Sequence, residues 1–249
     1  MRGYRYTGPN NGLPFTITKE MVQDLPASLN WRLMGAVTPV KDQGICGSCW
    51  SFGTAESIEG ALFLYHNRTM LVELSQQNLM DCTWGYGNIG CDGGEEWRAY
   101  EWIMANGGIA TAASYGPYLM ADGKCHFEVG TVIGAEISSY VNVTSGNSTA
   151  LKAALVHYGP VAVNIDASHE TFSFYSSGVY FDPNCKNGYA DLDHAVLAVG
   201  YGTLYGEDYW LIKNSWSNHW GDSGYVLMSM KDNNCGVTTN PTYVNIKEV

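Results

Sequence analysis

The chain is poor in positive charge: 13 lysines and arginines stand against 24 aspartates and glutamates in 249 residues, giving a formal net charge of −11. A surface of that sign repels phosphate backbones and anionic headgroups, which excludes nucleic acid and an anionic membrane as the main partner. Long hydrophobic runs are missing too. No uninterrupted apolar stretch approaches the ~20 residues that span a bilayer, so the sequence reads as a soluble chain. Its opening, MRGYRYTGPNNGLPF, is polar and glycine-rich, so a secreted reading requires a leader outside this sequence and makes Met1 an internal residue. There is no internal repeat. Nor is there a second Cys-x-x-Cys or a His-x₃-His to complete a zinc site, and neither a metal nor a cofactor is implied.

What is present is a globular composition, 45% apolar, in a length that suits one large domain or two modest ones. The seven cysteines, Cys46, Cys49, Cys82, Cys91, Cys125, Cys185 and Cys235, are an odd number. Three bridges and one free thiol is the simplest partition, with the pairing left open by the sequence. Asn-x-Ser/Thr sequons at Asn67, Asn142 and Asn147 are candidate glycosylation sites. Together these features favour the oxidising secretory pathway, either secretion or a lysosomal or endosomal destination.

Residues 1–26 are rich in Gly, Pro and Asn and read as a draped segment or linker. From Cys49 to Asn67 apolar residues recur at helical spacing, predicting a long, mostly buried helix. Ser75 can cap a second helix over QQNLMDC, and EEWRAYEWIMA stops at NGG. After one further helix, TALKAALVHYG, come strand-like runs: VAVNIDA, GVYF, HAVLAVGYG, DYWLIKNSW and GYVLMSM. A helical first half and a sheet-rich second half imply two layers meeting at a cleft, an α+β arrangement.

The stretch QGICGSCWSF allows three chemistries. A redox Cys-x-x-Cys lacks the preceding strand of its usual context, and a metal site lacks further ligands. A nucleophile requires a base, and the base an orienting partner. Cys49 opens the long helix, where the dipole favours thiolate. His66, His126, His157, His169 and His219 sit in helical, loop or turn text. His194 differs, starting the apolar run LDHAVLAVGYG, and WLIKNSWSNHWG supplies Asn214 to hold the imidazole and Trp216 to shield it.

These motifs, with LSQQNLMDC and GCDGG, make the chain resemble the papain-like cysteine proteases over nearly its whole length. Within that family it is similar to animal cathepsin L-type enzymes; WGYGNIGCDGGEEW and IDASHETFSFYSSGVYF resemble the insect haemocyte two-subunit cysteine proteases. The resemblance implies a two-lobe papain-like fold. A mainly helical left lobe over 25–136 would carry the nucleophile, a β-barrel-like right lobe over 137–249 the His and Asn, and residues 1–24 would be a propeptide tail or N-terminal extension. It makes Cys49 the nucleophile, His194 its base and then acid, Asn214 the orienting amide and Gln43 an oxyanion donor. It also implies a thiolate–imidazolium resting pair, with the thiol below its free value of about 8.5. The bridges it implies are Cys46–Cys91, Cys82–Cys125 and Cys185–Cys235.

By the same resemblance Gly93, Gly94, Asp193 and Trp216 meet the substrate. Glu95, Glu96, Asn164, Leu192, Ala195 and Asn240 line the pocket for the second residue before the scissile bond. Relatives offer apolar walls there, so a pocket tolerant of polar or basic side chains is one expectation; the other is that Glu95 and Glu96 point to solvent in the first turn of a helix. Ser217 replaces a glycine common in relatives. The short Cys82–Cys91 interval leaves no room for an exopeptidase occluding loop. The implied activity is therefore cysteine endopeptidase through an acyl-enzyme, rather than a Cys46/Cys49 oxidoreductase or a silent binding homologue. Partners would be peptide and protein substrates, a propeptide or cystatin-like inhibitors, and a cleaved N-terminal chain. With the long inhibitory prodomain missing, the cleft is expected to be open unless another chain covers it.

Overall fold

A computed structural model describes residues 2–128 and 131–247. Its helices are α1 (Lys19–Gln23), α2 (Cys49–Tyr65), α3 (Gln76–Cys82), α4 (Glu96–Asn106), α5 (Ala112–Tyr115), α6 (Ser148–Tyr158) and α7 (Glu170–Ser173). The strands are β1 (Leu13–Pro14), β2 (Leu29–Asn30), β3 (Ile109–Ala110), β4 (Ile133–Ala135), β5 (Ile137–Asn142), β6 (Val161–Ile165), β7 (Val179–Tyr180), β8 (His194–Leu204), β9 (Glu207–Lys213), β10 (Tyr225–Ser229) and β11 (Thr242–Ile246).

Helix α2 is the axis of the molecule. Every residue from Cys49 to Phe63 is buried, the carboxylates of Glu56 and Glu59 included. One flank meets α3 and α4 through Trp50, Ile58 and Leu62, packed with Leu79, Tyr100 and Ile103. The other meets a sheet in the order β1-β5-β11-β6-β8-β9-β10-β7, with β2 paired to β8. That sheet is open: its path ends on β1 and β7, which do not pair, so it does not close into the barrel-like lobe expected from the sequence. Chain and lobe do not divide at one point. Trp31, close to the N-terminus, is buried among sheet residues and donates its indole N–H to Leu155 O at 2.8 Å. Conversely Ile137, Tyr140 and Val244, from β5 and β11, pack into the helical cluster.

Local chemistry sets the ends of these elements. Ser75 Oγ accepts the Asn78 N–H at 3.0 Å and starts α3. Gly107, at φ 77°, ends α4 in the left-handed conformation that glycine takes without a Cβ clash. The bridges are Cys46–Cys91, Cys82–Cys125 and Cys185–Cys235, and Cys49 is the free thiol. Among the sequons, Asn67 is exposed just past α2. Asn147 caps α6 by accepting from Ala150 N at 3.0 Å. Asn142 lies within β5 and donates to Asn10 Oδ1 at 2.7 Å, so a glycan there requires the N-terminal segment to move.

Candidate active site

Three elements converge at the N-terminus of α2. Cys49 is its first residue and His194 is the first residue of β8. Asn214 follows β9, which runs antiparallel to β8 with Leu197 opposite Lys213. Strand pairing thus places the end of β9 beside the start of β8. His194 Nε2 meets Asn214 Oδ1 at 2.7 Å, and the ring lies 4.9 Å, centroid to centroid, from Trp216. The other ring nitrogen, Nδ1, is buried without a hydrogen-bond partner. Cys49 Sγ accepts the N–H of Ala195, the residue after the histidine, at 3.3 Å. The sulfur thus bonds the residue next to the histidine, and both side chains are buried.

Gln43 is held on three sides. Ser215 Oγ donates to its Oε1 at 2.7 Å, its Nε2 donates to Cys46 O at 2.8 Å, and its backbone N–H bonds Ser215 O at 2.9 Å. The side chain is buried. With the amide oxygen tied to Ser215, the nitrogen faces the loop that leads into α2. Ser217 adopts φ 66°, the left-handed conformation that a glycine takes freely, and its N–H bonds Lys41 O at 3.1 Å.

The cleft is covered, contrary to the open cleft expected from the sequence. Residues 2–7 of the same chain lie along it. Gly3 N and Tyr4 N both donate to Asp193 O at 3.1 Å. Gly94 N donates to Gly3 O at 2.8 Å, and Gly94 O accepts from Arg5 N at 3.3 Å. Gly93, at φ 116°, leaves no space for a side chain: a Cβ there would stand 2.5 Å from Gly3 O. Arg2 pairs with Asp193 at 2.8 Å, and Thr7 with Glu95. Arg2 also borders a cavity of about 480 Å³ with Asp42, Ile45, Trp216 and Trp220. No signal in the sequence marked Tyr4, which is 3% exposed and packs with Cys49, Leu192 and Ala195.

Neither Glu95 nor Glu96 points to solvent, which corrects that expectation. Glu96 accepts from Asn164 Nδ2 at 2.7 Å and is 3% exposed, its carboxyl pushed up to about 8 by burial. Glu95 is buried against Arg98 at 3.2 Å. Asn240 Nδ2 donates to Asn164 Oδ1 and to Tyr4 Oη, each at 2.9 Å.

The cover also reverses the expected ionisation. Burial pushes the Cys49 thiol up to about 12, against the weaker lowering by the Ala195 N–H, and burial drops His194 to about 4. Both shifts favour the neutral forms, because burial removes the water that an ion pair needs.

Against known proteins, the family model described as "Papain family cysteine protease" matches residues 25–245. The chain belongs to that family. A cathepsin L-like peptidase of Aedes aegypti is 52% identical, over 92% of this chain and 67% of its own length. Digestive cysteine proteinase 2 of Homarus americanus is 51% identical, over 86% of this chain and 65% of its own. The chain thus spans about two thirds of these relatives. The structure of digestive procathepsin L 3 of the Tenebrio molitor larval midgut superposes with a TM-score of 0.88 at 41% identity, covering 98% of this chain and 76% of that one.

Proposed function

We propose that this protein is a cysteine endopeptidase of the cathepsin L type, described here with its cleft blocked by its own N-terminal segment. The observation that carries the reading is the free Cys49 thiol, 3.3 Å from Ala195 N, beside a histidine fixed by Asn214. When the segment leaves, water and the α2 dipole favour proton transfer from Cys49 to His194. The thiolate then attacks the scissile carbonyl. Gln43 Nε2 and the Cys49 N–H receive the oxyanion, a contribution of roughly 2.7–4 kcal/mol per donor in comparable sites. His194, held by Asn214, protonates the leaving amine, and water hydrolyses the thioester.

The order of the chain explains why the segment blocks the cleft instead of being cut. Tyr4 fills the pocket assigned to the second residue before the scissile bond, yet it comes after Gly3, which lies at the sulfur. The segment therefore runs opposite to a substrate. Residues 2–24, upstream of the family match, act as the tail of a propeptide. Peptide and protein substrates are the partners of the opened cleft, and a cystatin-like inhibitor or a cleaved N-terminal chain occupies the same groove. Three disulfides suit secretion or a lysosome, and no helix among the described residues is long and apolar enough to cross a membrane.

The test is labelling with an epoxide thiol reagent at mildly acid pH, followed by peptide mapping and an assay of peptide hydrolysis. Modification at Cys49 with parallel loss of hydrolysis is expected. Modification elsewhere, or hydrolysis that survives a blocked Cys49, overturns the assignment.

A further inference from the structure

The pocket beside Cys49 has apolar sides and a polar end. Leu192 and Ala195 pack on Tyr4, while the phenol oxygen reaches a row of three buried or half-buried polar groups. Asn240 Nδ2 donates to Tyr4 Oη, Asn240 Nδ2 also donates to Asn164 Oδ1, and Asn164 Nδ2 donates to Glu96 Oε1. We propose that this row makes the pocket select a hydroxyl-bearing aromatic, so that substrates with tyrosine at the second position before the scissile bond are taken over those with phenylalanine, leucine or arginine. The proposal rests on the peptidase reading above and adds the substrate class.

Glu96 sets the direction of the row. Its oxygen accepts from Asn164, which turns the Asn164 oxygen toward Asn240 and leaves the Asn240 N–H facing the occupant. Protonated, as burial favours at acid pH, Glu96 can donate instead, and both amides turn over together. A hydroxyl pairs with either arrangement because it both donates and accepts. Phenylalanine removes one of the two bonds of Asn240 Nδ2, leaving only the one to Asn164. An arginine or lysine meets a carboxyl, Glu96, that burial holds toward the neutral form, and a carboxylate, Glu95, already bonded to Arg98 and Thr7.

The test begins with the full chain, in which Tyr4 is the occupant. The rate of Cys49 alkylation by iodoacetamide is measured for the wild type, Tyr4→Phe, Asn240→Ala and the double variant, with thermal melts confirming that each folds. Each single variant is expected to raise the rate roughly fivefold, the scale of one neutral hydrogen bond, and the double variant no further. Equal rates for the wild type and the conservative Tyr4→Phe variant overturn the proposal, as do single effects that multiply in the double variant. Peptides matched except for tyrosine or phenylalanine at the second position should then differ several-fold in kcat/KM, the ratio falling to about one in Asn240→Ala. A ratio that persists in Asn240→Ala overturns the proposal. If Cys49 labels as described but no peptide is cleaved, the peptidase reading fails, while the labelling cycle still decides what the pocket recognises.

Discussion

Gly3 is a position of the covering segment that has no room for a side chain. A Cβ there would stand 1.8 Å from Gly47 O, and backbone cannot swing aside as a side-chain tip can. Gly3→Ala is therefore expected to expel the segment and speed alkylation of Cys49, by at least tenfold if the clash matches the few kcal/mol typical of overpacking. An unchanged rate would show that the segment is not held at this point. Cys49, His194, Asn214 and Gln43 were legible in the sequence because the chemistry needs those residue types within recognisable local motifs. Tyr4 was not. One aromatic in a stretch rich in Gly, Pro and Asn has no periodicity, and its partners Asn240 and Leu192 lie far away in sequence. The ionisation of Cys49 was misjudged for the same reason, since the water-excluding cover comes from a segment with no legible structure.

At the scale of elements, α2 is tied to the sheet by buried charge. Lys213 Nζ, at the end of β9, meets Glu56 Oε1 of α2 at 2.8 Å with neither side chain more than 4% exposed. It also donates to Thr38 Oγ1, which in turn donates to Glu59 Oε2 at 2.6 Å. Lys213→Met strands Glu56 in the interior, so a loss of about 3–5 kcal/mol is expected in urea unfolding, with Glu56→Gln in the same background restoring part of it. Four of the longer helices were legible from apolar spacing and caps; Ser75→Ala should lower stability by about 1 kcal/mol. Strands β5 and β11 were not legible. They pair with each other across about a hundred residues, and ISSYVN and TYVNI are too short and mixed to announce a buried strand. Closure of the sheet was likewise beyond a reading of local patterns, because it depends on which edges meet.

The whole molecule responds to pH through groups that burial shifts in opposite directions. His194 is depressed to about 4, so its contribution to the covered state is present above its ordinary value near 6.5 and lost as pH falls toward 4. Glu96 is raised to about 8, so its contribution is full below about 4.5 and lost as pH rises toward 8. Glu96→Gln is expected to flatten the alkaline fall in Tm while leaving the acid fall intact; an unaltered alkaline limb would assign that fall to another group. The acid limb bears on activation, because protonating His194, whose burial favours the neutral ring, weakens the seal over the thiol. The most direct measurement is the rate of Cys49 alkylation in the full chain as a function of pH. The account predicts slow labelling near neutrality that accelerates as pH falls from about 6.5 toward 4. A rate that is lowest in acid and simply climbs with pH, with a midpoint near the ~8.5 of a solvated thiol, would contradict it.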